Sequence, residues 1–370
     1  MGQLPRYKLL IPGPVEVAPE VLDEMAQPMV AHYGPEWTAY YKEIVELLRR
    51  VFRTKGDIFI IPGSGSAGLD AALGSSIAPT DKVLILSNGF FGQRLLEIAQ
   101  SHATNIEVLS APLGQALDPV VVKKKLATGH FEVVAVVHCE TSTGVLNPLQ
   151  EIAAVCREHR ALLIADTISS LGIEPVCMDD WGIGICVSAS QKGLEAPPGL
   201  ALVAVGEEAW RWIERGNKPG WYLNLKVWRE YTQKWGDWHP HPITQPVNNI
   251  RALRKSVERV LKEGLENRFN RHKEVTTYLR QGLRKLGLTP FVADEIASHG
   301  VTSVVGPEGR VEELLVYLRE QHGMLLAGTL GELRGKVFRI GHMGPTANLD
   351  LVRELLETCA QYLERVGFAR

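Results

Sequence analysis

Asp57-Ile58-Phe59-Ile60-Ile61-Pro62-Gly63-Ser64-Gly65-Ser66-Ala67-Gly68-Leu69 is a short apolar run, broken by proline and glycine and followed at once by a helical pattern through Leu73. The run Ile58–Ile61 is too short for a helix and is rich in β-branched side chains, so it reads as a strand buried on both faces. Similar runs recur at Val83–Leu86, Ile106–Leu109, Val133–Val137, Leu162–Ala165, Ile185–Val187 and Leu200–Val205, with amphipathic segments between them. This alternation predicts an α/β fold: a large domain built on a mostly parallel seven-stranded sheet with helices on both faces.

Outward from that region the pattern changes. Before it, Leu10-Ile11-Pro12-Gly13-Pro14 cannot continue a helix or a central strand, and Trp37–Phe52 carries helical spacing. After it come two long helical patterns, Asn249–Leu265 and Arg271–Leu286. Then Val301–Val305, Val311–Gln321, Met324–Leu326, Lys336–Ile340 and Leu349–Leu363 read as strand, helix, strand, strand, helix. The expected organisation is an N-terminal arm over residues 1–20, a large domain over 21–248, and a linking helix with a smaller C-terminal α/β domain over 249–370. A cleft between the two domains is the default ligand site.

Bulk properties narrow the function classes. The chain has 370 residues, 45% of them hydrophobic, enough for a large core. Forty basic against 42 acidic residues leave a net charge of −2, without the basic excess that nucleic acid binding requires. No apolar stretch is long enough to cross a bilayer, and neither Met1–Leu10 nor the C-terminal Gly367-Phe368-Ala369-Arg370 carries a targeting signal. Five cysteines, an odd number and widely spaced, suit reduced thiols in a cytoplasmic protein, and no CxxC or HExxH spacing offers a metal site.

The loop Gly63–Gly68 literally matches the GxGxxG dinucleotide fingerprint. Its glycines and serines suit any phosphate, held by free N–H groups at a helix start; a plain strand-to-helix turn is the alternative. A dinucleotide also needs an acid at the end of the next strand, where this chain has Ser87-Asn88-Gly89. That requirement fails.

Two further residues fall at the sheet edge where open α/β folds bind ligands. Asp166 follows the buried run Leu162–Ala165, either as a functional carboxylate or as the cap of a following helix. Lys192, in Ser190-Gln191-Lys192-Gly193, lies on a loop kept from helix by Ala196-Pro197-Pro198-Gly199. Pyridoxal 5′-phosphate requires a lysine to form an imine, an anion at its pyridine nitrogen and a phosphate cradle. Lys192, Asp166 and Gly63–Gly68 supply the three.

On these residues the chain resembles the class V, fold type I, pyridoxal-phosphate aminotransferases of the alanine–glyoxylate and serine–pyruvate branch. The matching stretches also include Pro12-Gly13-Pro14, Asn88–Arg94, Glu140–Val145, Glu263–Asn267 and Lys336–Gly341, in family order along nearly the whole chain. The Asp166-to-Lys192 interval, 192 − 166 = 26 positions, fits as well.

The resemblance implies a homodimeric transaminase that moves an amino group between a small amino acid, alanine or serine, and a 2-oxo acid, glyoxylate or pyruvate, by ping-pong kinetics. It implies that Ser64, Gly65, Ser66 and Gln191 hold the cofactor phosphate, that Phe91 stacks on the ring, and that Thr141 bonds the ring oxygen. Asp166 would pair with the ring nitrogen and Lys192 would form the imine and shuttle the proton. His241 and Thr244 would reach the phosphate of the neighbouring subunit. Arg339, with the backbone of Gly13, would hold the substrate carboxylate. Where the family commonly has His-Arg, this chain has His32-Tyr33, which puts Tyr33 at the substrate mouth and leaves the donor open, (S)-ureidoglycine included. A lyase or desulfurase on the same fold, or a non-catalytic binding protein, are the competing classes. Six of the eight tryptophans, Trp210, Trp212, Trp221, Trp228, Trp235 and Trp238, crowd before the His241 loop and read as an interface or entrance wall, with ordinary packing the alternative.

Overall fold

The computed structural model describes residues 5–329 and 331–368. The first four residues of the expected arm and the last two of the C-terminal tetrapeptide lie outside the described residues. All seven apolar runs form strands of one sheet: β1 Asp57–Pro62, β2 Val83–Ser87, β3 Ile106–Ser110, β4 Val133–Val137, β5 Leu162–Asp166, β6 Ile185–Ala189 and β7 Leu200–Val205, in the order β1-β7-β6-β5-β4-β2-β3. Only β7 runs against its neighbours, β1 and β6. The carboxyl ends of the other six therefore share one edge.

Alternation along each strand sends side chains to opposite faces. Ile58 and Ile60 join a core beneath the helix Pro35–Phe52, and Phe59 and Ile61 join a second core beneath the helix Gly65–Ser76. The first helix starts at Pro35, whose missing N–H costs nothing there, and lays Ile44, Leu48 and Phe52 on the sheet. Each such side chain contributes about 1.5–3 kcal/mol relative to exposure.

A second, antiparallel sheet has β8 Thr289–Pro290, β9 Val301–Val305, β10 Ala327–Gly328 and β11 Val337–Gly341 in the order β8-β9-β11-β10. Leu279, Val304, Leu314, Phe338 and Leu355 form its core with the helices Leu265–Lys285, Val311–His322 and Leu349–Arg365. Three elements differ from the sequence reading. Met324–Leu325 pairs in parallel with Lys8–Leu9 of the arm instead of entering this sheet, because the arm buries Leu10 in the same core. The second long helix begins at Leu265, one residue after the first ends, with Gly264 at φ 84 between them. Residue 249 falls inside the helix Val247–Glu263, whose Val247, Ile250, Leu253 and Val257 pack in the core of the large sheet.

The arm then crosses from the small sheet to the large one. Gly341 N–H donates to Leu10 O at 2.8 Å, and Val15 N–H donates to Gln191 O at 3.2 Å. A Cβ on Gly341 would lie 2.0 Å from the carbonyl oxygen of Ile11, a backbone atom that cannot rotate away. Gly341→Ala should therefore unseat the arm, with a loss of about 1–3 kcal/mol in denaturant melts and faster proteolytic clipping before Pro12; an unchanged digestion pattern would refute this account of the arm.

Candidate active site

The carboxyl edge of the large sheet gathers the residues singled out in the sequence. Ser64, Gly65 and Ser66 follow β1, Phe91 follows β2, Thr141 follows β4, Asp166 ends β5, and Gln191 and Lys192 follow β6. All eight line one cavity of about 300 Å³, together with Arg94, Cys139 and Ser169. A roomier cavity of about 600 Å³, lined by Lys55, Arg157 and Trp212, opens at the opposite edge and contains none of them.

Asp166 is buried, and its Oδ1 accepts a hydrogen bond from Ile168 N–H at 2.9 Å. Burial pushes its carboxyl up to about 7; the nearby Glu140 adds to the rise and the Ile168 N–H opposes it. Lys192 is pulled down to about 8, chiefly by desolvation, with the positive charges of Arg339 and Arg94 helping. Its Nζ donates to the carbonyl of Pro12 in the arm. Gly13 has φ +112, and a Cβ there would fall 2.6 Å from Lys192 Nζ, so the arm can pass over the amine only as glycine. Among the described residues Asp166 and Lys192 form no ion pair with each other or with anything else.

The cavity presents groups that suit pyridoxal phosphate. Ser64 stands at the N-cap of the helix Gly65–Ser76 without using its hydroxyl as a cap. Gln191 Oε1 is buried and has no partner, and a flip of the amide would turn N–H donors to an anion instead. The helix start adds its own partial positive charge. Thr141 Oγ1 lies 2.7 Å from Ser169 Oγ, and its carbonyl accepts from Arg339 Nη1 at 3.2 Å. Arg339 sits on β11 and otherwise donates to Gly328 O through Nε and Nη2, at 3.1 and 2.8 Å. Among the described residues its hydrogen bonds go only to backbone carbonyls, and the charge of the nearby Glu140 acts on it without a direct ion pair.

Two residues that shape the site carried no role in the sequence. Glu140 is fully buried and accepts from Phe91 N–H at 3.1 Å, Gly92 N–H at 3.0 Å and Ser142 N–H at 3.1 Å. It thereby anchors, with a favourable charge, the N-terminus of the helix Phe90–Gln100 that carries Phe91. Arg94, one turn on, lies over the rings of Phe90 and Phe91, 5.0 Å from each centroid. Both stood inside matched motifs, but the Phe91 and Gly92 partners of Glu140 lie about 50 positions away in sequence, beyond the reach of local pattern.

The remaining expected site residues lie outside this cavity. Tyr33 is 50% exposed, its ring 5.5 Å from that of Trp238. His241 is fully buried: Nε2 accepts from Trp37 Nε1 at 2.9 Å and Nδ1 bonds Ile243 O at 2.8 Å. Burial pulls it down to about 3, so it is neutral, and a phosphate contact would require one of those bonds to give way. His32 and His239 approach it with ligand atoms within 4.8 Å, yet the two engaged nitrogens of His241 leave no ready metal seat. Thr244 is exposed. Of the clustered tryptophans, Trp210, Trp212 and Trp228 pack in the core, while Trp221, Trp235 and Trp238 are half-exposed.

The family description "Aminotransferase class-V" matches residues 16–332. An uncharacterized aminotransferase of Methanocaldococcus jannaschii is 38% identical over 97% of this chain and 93% of its own. The (S)-ureidoglycine–glyoxylate transaminase of Bacillus subtilis is 35% identical over 92% and 86%. The crystal structure of alanine–glyoxylate aminotransferase from Nostoc sp. superposes with a TM-score of 0.93 at 33% identity, covering 98% of this chain and 96% of that one. The protein therefore belongs to the class V aminotransferases, fold type I enzymes that transfer amino groups with pyridoxal 5′-phosphate.

Proposed function

We propose that this aminotransferase moves an amino group from a small amino acid, alanine or serine, to glyoxylate or pyruvate, in a cytoplasmic homodimer. The observation that carries the proposal is the convergence of Ser64–Ser66, Asp166, Gln191 and Lys192 on a cavity of about 300 Å³, with Arg339 bonded to the carbonyl of Thr141, one of its lining residues. The relative names support glyoxylate as acceptor, since several of those proteins pair it with alanine, aspartate or ureidoglycine. Ureidoglycine is the alternative donor, favoured by the Bacillus subtilis relative.

When bound, pyridoxal phosphate supplies the electron-withdrawing ring that makes the substrate Cα–H acidic. Ser64, Gly65, Ser66 and Gln191 would hold its phosphate, and Phe91 would cover one face of the ring. The Asp166 carboxylate would hold the proton on the ring nitrogen. That pairing brings a cation to a buried acid and favours its ionised form. Arg339 would take the substrate carboxylate in a two-pronged grip, which orients the Cα–H bond toward Lys192. Lys192 Nζ would receive that proton and return it one position along, a role suited to an amine already pulled down to about 8. The exposed Thr244 hydroxyl, and His241 if its loop adjusts, would contact the phosphate held by a partner subunit. The half-exposed Trp221, Trp235 and Trp238 would supply apolar area for that association.

The decisive assay is a donor panel of alanine, serine, aspartate and ureidoglycine against glyoxylate and pyruvate. Alanine or serine with glyoxylate should give the highest kcat/KM, and a clear preference for another donor would overturn the substrate proposal. Lys192→Ala should abolish the visible absorbance of the bound cofactor and lower kcat by about 100-fold or more.

Arg339→Lys keeps the charge but loses the fork. It should cost about 2 kcal/mol in kcat/KM, seen mainly as a raised KM; a wild-type KM would remove Arg339 from carboxylate binding.

The sign of the Asp166 shift yields a stability test. Its folded value, about 7, exceeds the ordinary 3.8, so the stability that its protonated form contributes is complete below pH 3.8 and is lost as the pH rises through 7. Asp166→Asn should raise the thermal midpoint of the cofactor-free protein at pH 8 and leave it nearly unchanged at pH 4. Equal effects at both would contradict this.

A further inference from the structure

The stretch Glu263-Gly264-Leu265-Glu266-Asn267 resembled the family without acquiring a role, and the residue that follows it, Arg268, is 1% exposed. A guanidinium that far from water must have its donors and its charge satisfied. Its Nε donates to Gly172 O at 2.6 Å and its Nη2 to Gly193 O at 2.8 Å, while the carboxylates of Glu195 and Glu263 neutralise it. Gly193 is the residue after Lys192, and Gly172 lies six positions after Asp166, in the turn from Ser170 to Ile173. Glu195 N–H also donates back to Lys192 O at 2.9 Å. One buried cation therefore clamps together the backbones that carry the acid and the amine. The fit is close: a Cβ on Gly193 would lie 2.2 Å from Leu171 O.

The same helix turn also reaches the small sheet. Arg271 Nη1 donates to Gly344 O and Ala347 O, each at 2.8 Å, just beyond the strand that carries Arg339. His272 Nε2 accepts from Gly344 N–H at 3.0 Å, and its Nδ1 bonds Arg268 O at 2.8 Å. Glu263 bridges Arg268 and Arg271 at 2.9 and 2.6 Å.

We infer that Arg268 is a positioning residue for Lys192, setting its place against Asp166 and tying both to the segment that follows Arg339. The inference rests on Lys192 being the cofactor lysine. Its consequence is chemical as well as mechanical. Lys192 is enclosed and faces Asp166, Cys139, Arg339 and Arg94, and that enclosure holds it at about 8. A loosened loop admits water and lets the amine return toward its ordinary 10.5. Only the neutral amine can attack an aldehyde.

The test follows the rate at which full-length protein, freed of cofactor, takes up pyridoxal phosphate across pH 6–10, by visible absorbance. Arg268→Gln, and Arg268→Lys as the variant that keeps the charge opposite Glu195, should move the midpoint of this profile upward by at least about half a unit from the wild-type position near 8. The holoenzymes should lose about tenfold or more in kcat, with KM for the amino acid within about twofold. A variant that melts earlier but keeps the wild-type midpoint and kcat would overturn the inference and leave Arg268 a purely structural residue. Lys192→Ala serves as the separate control: if it still shows the absorbance change, the assignment of the lysine fails instead.

Discussion

An acid and an amine are held out of water at one sheet edge without forming an ion pair, and the rest of the site is arranged around that fact. Burying either charge alone is costly, and proteins ordinarily resolve the cost by pairing them or by neutralising one through a pKa shift. Here both shifts occur: Asp166 is pushed up to about 7 and Lys192 down to about 8. The backbone prevents the alternative. Asp166 is fixed by Ile168 N–H at the end of β5, and the Lys192 amine is drawn to the Pro12 carbonyl of the arm. A ligand that brings a cation to the acid and an aldehyde to the amine relieves both groups at once, which is the physical reason this cavity suits a pyridinium aldehyde.

Holding that arrangement requires the whole chain. The arm buries Leu10 in the core of the small sheet and then lays Gly13 over Lys192, so the two cores are linked through the site. Arg339 spans the same gap from the other side, with one bond to Thr141 O and two to Gly328 O. A carboxylate arriving between them would offer that guanidinium a better partner than a neutral carbonyl. If Arg339 takes the substrate carboxylate as proposed, substrate binding and the contact between the two sheets would draw on the same side chain.

Much of this was legible from sequence because it rests on local pattern. Continuous apolar runs such as Val133–Val137 announce strands buried on both faces, and a residue directly after such a run must sit at the sheet edge, which placed Asp166 and Lys192. The small sheet was less legible. Thr289–Pro290 contains a proline, and Met324–Leu325 pairs with a segment more than 300 positions away, so neither partner shows in a local window. Glu140 and Arg268 escaped for the same reason: a buried charge is identified by what satisfies it, and here most of those partners come from distant loops. His241 shows the converse. Its motif position was clear, but sequence could not reveal that Trp37 and Ile243 would occupy both ring nitrogens.

The distribution of charge around the cavity also indicates what it is built to hold. Glu140 is ionisable and close to the site, but its oxygens are committed to the N–H groups of Phe91, Gly92 and Ser142. Arg94 is stacked on aromatic rings and Arg339 is bonded to carbonyls, so neither cation has a committed counter-ion among the described residues. The cavity therefore has Arg94 in its lining and Arg339 bonded to its Thr141 carbonyl, neither in a direct ion pair, with the helix start at Gly65 adding positive character. A ligand with a single anionic group would leave part of that field unanswered. A phosphate held at the serine–glycine loop together with a carboxylate held by Arg339 would answer both cations, leaving Lys192 and Asp166 free to act on the chemistry between them.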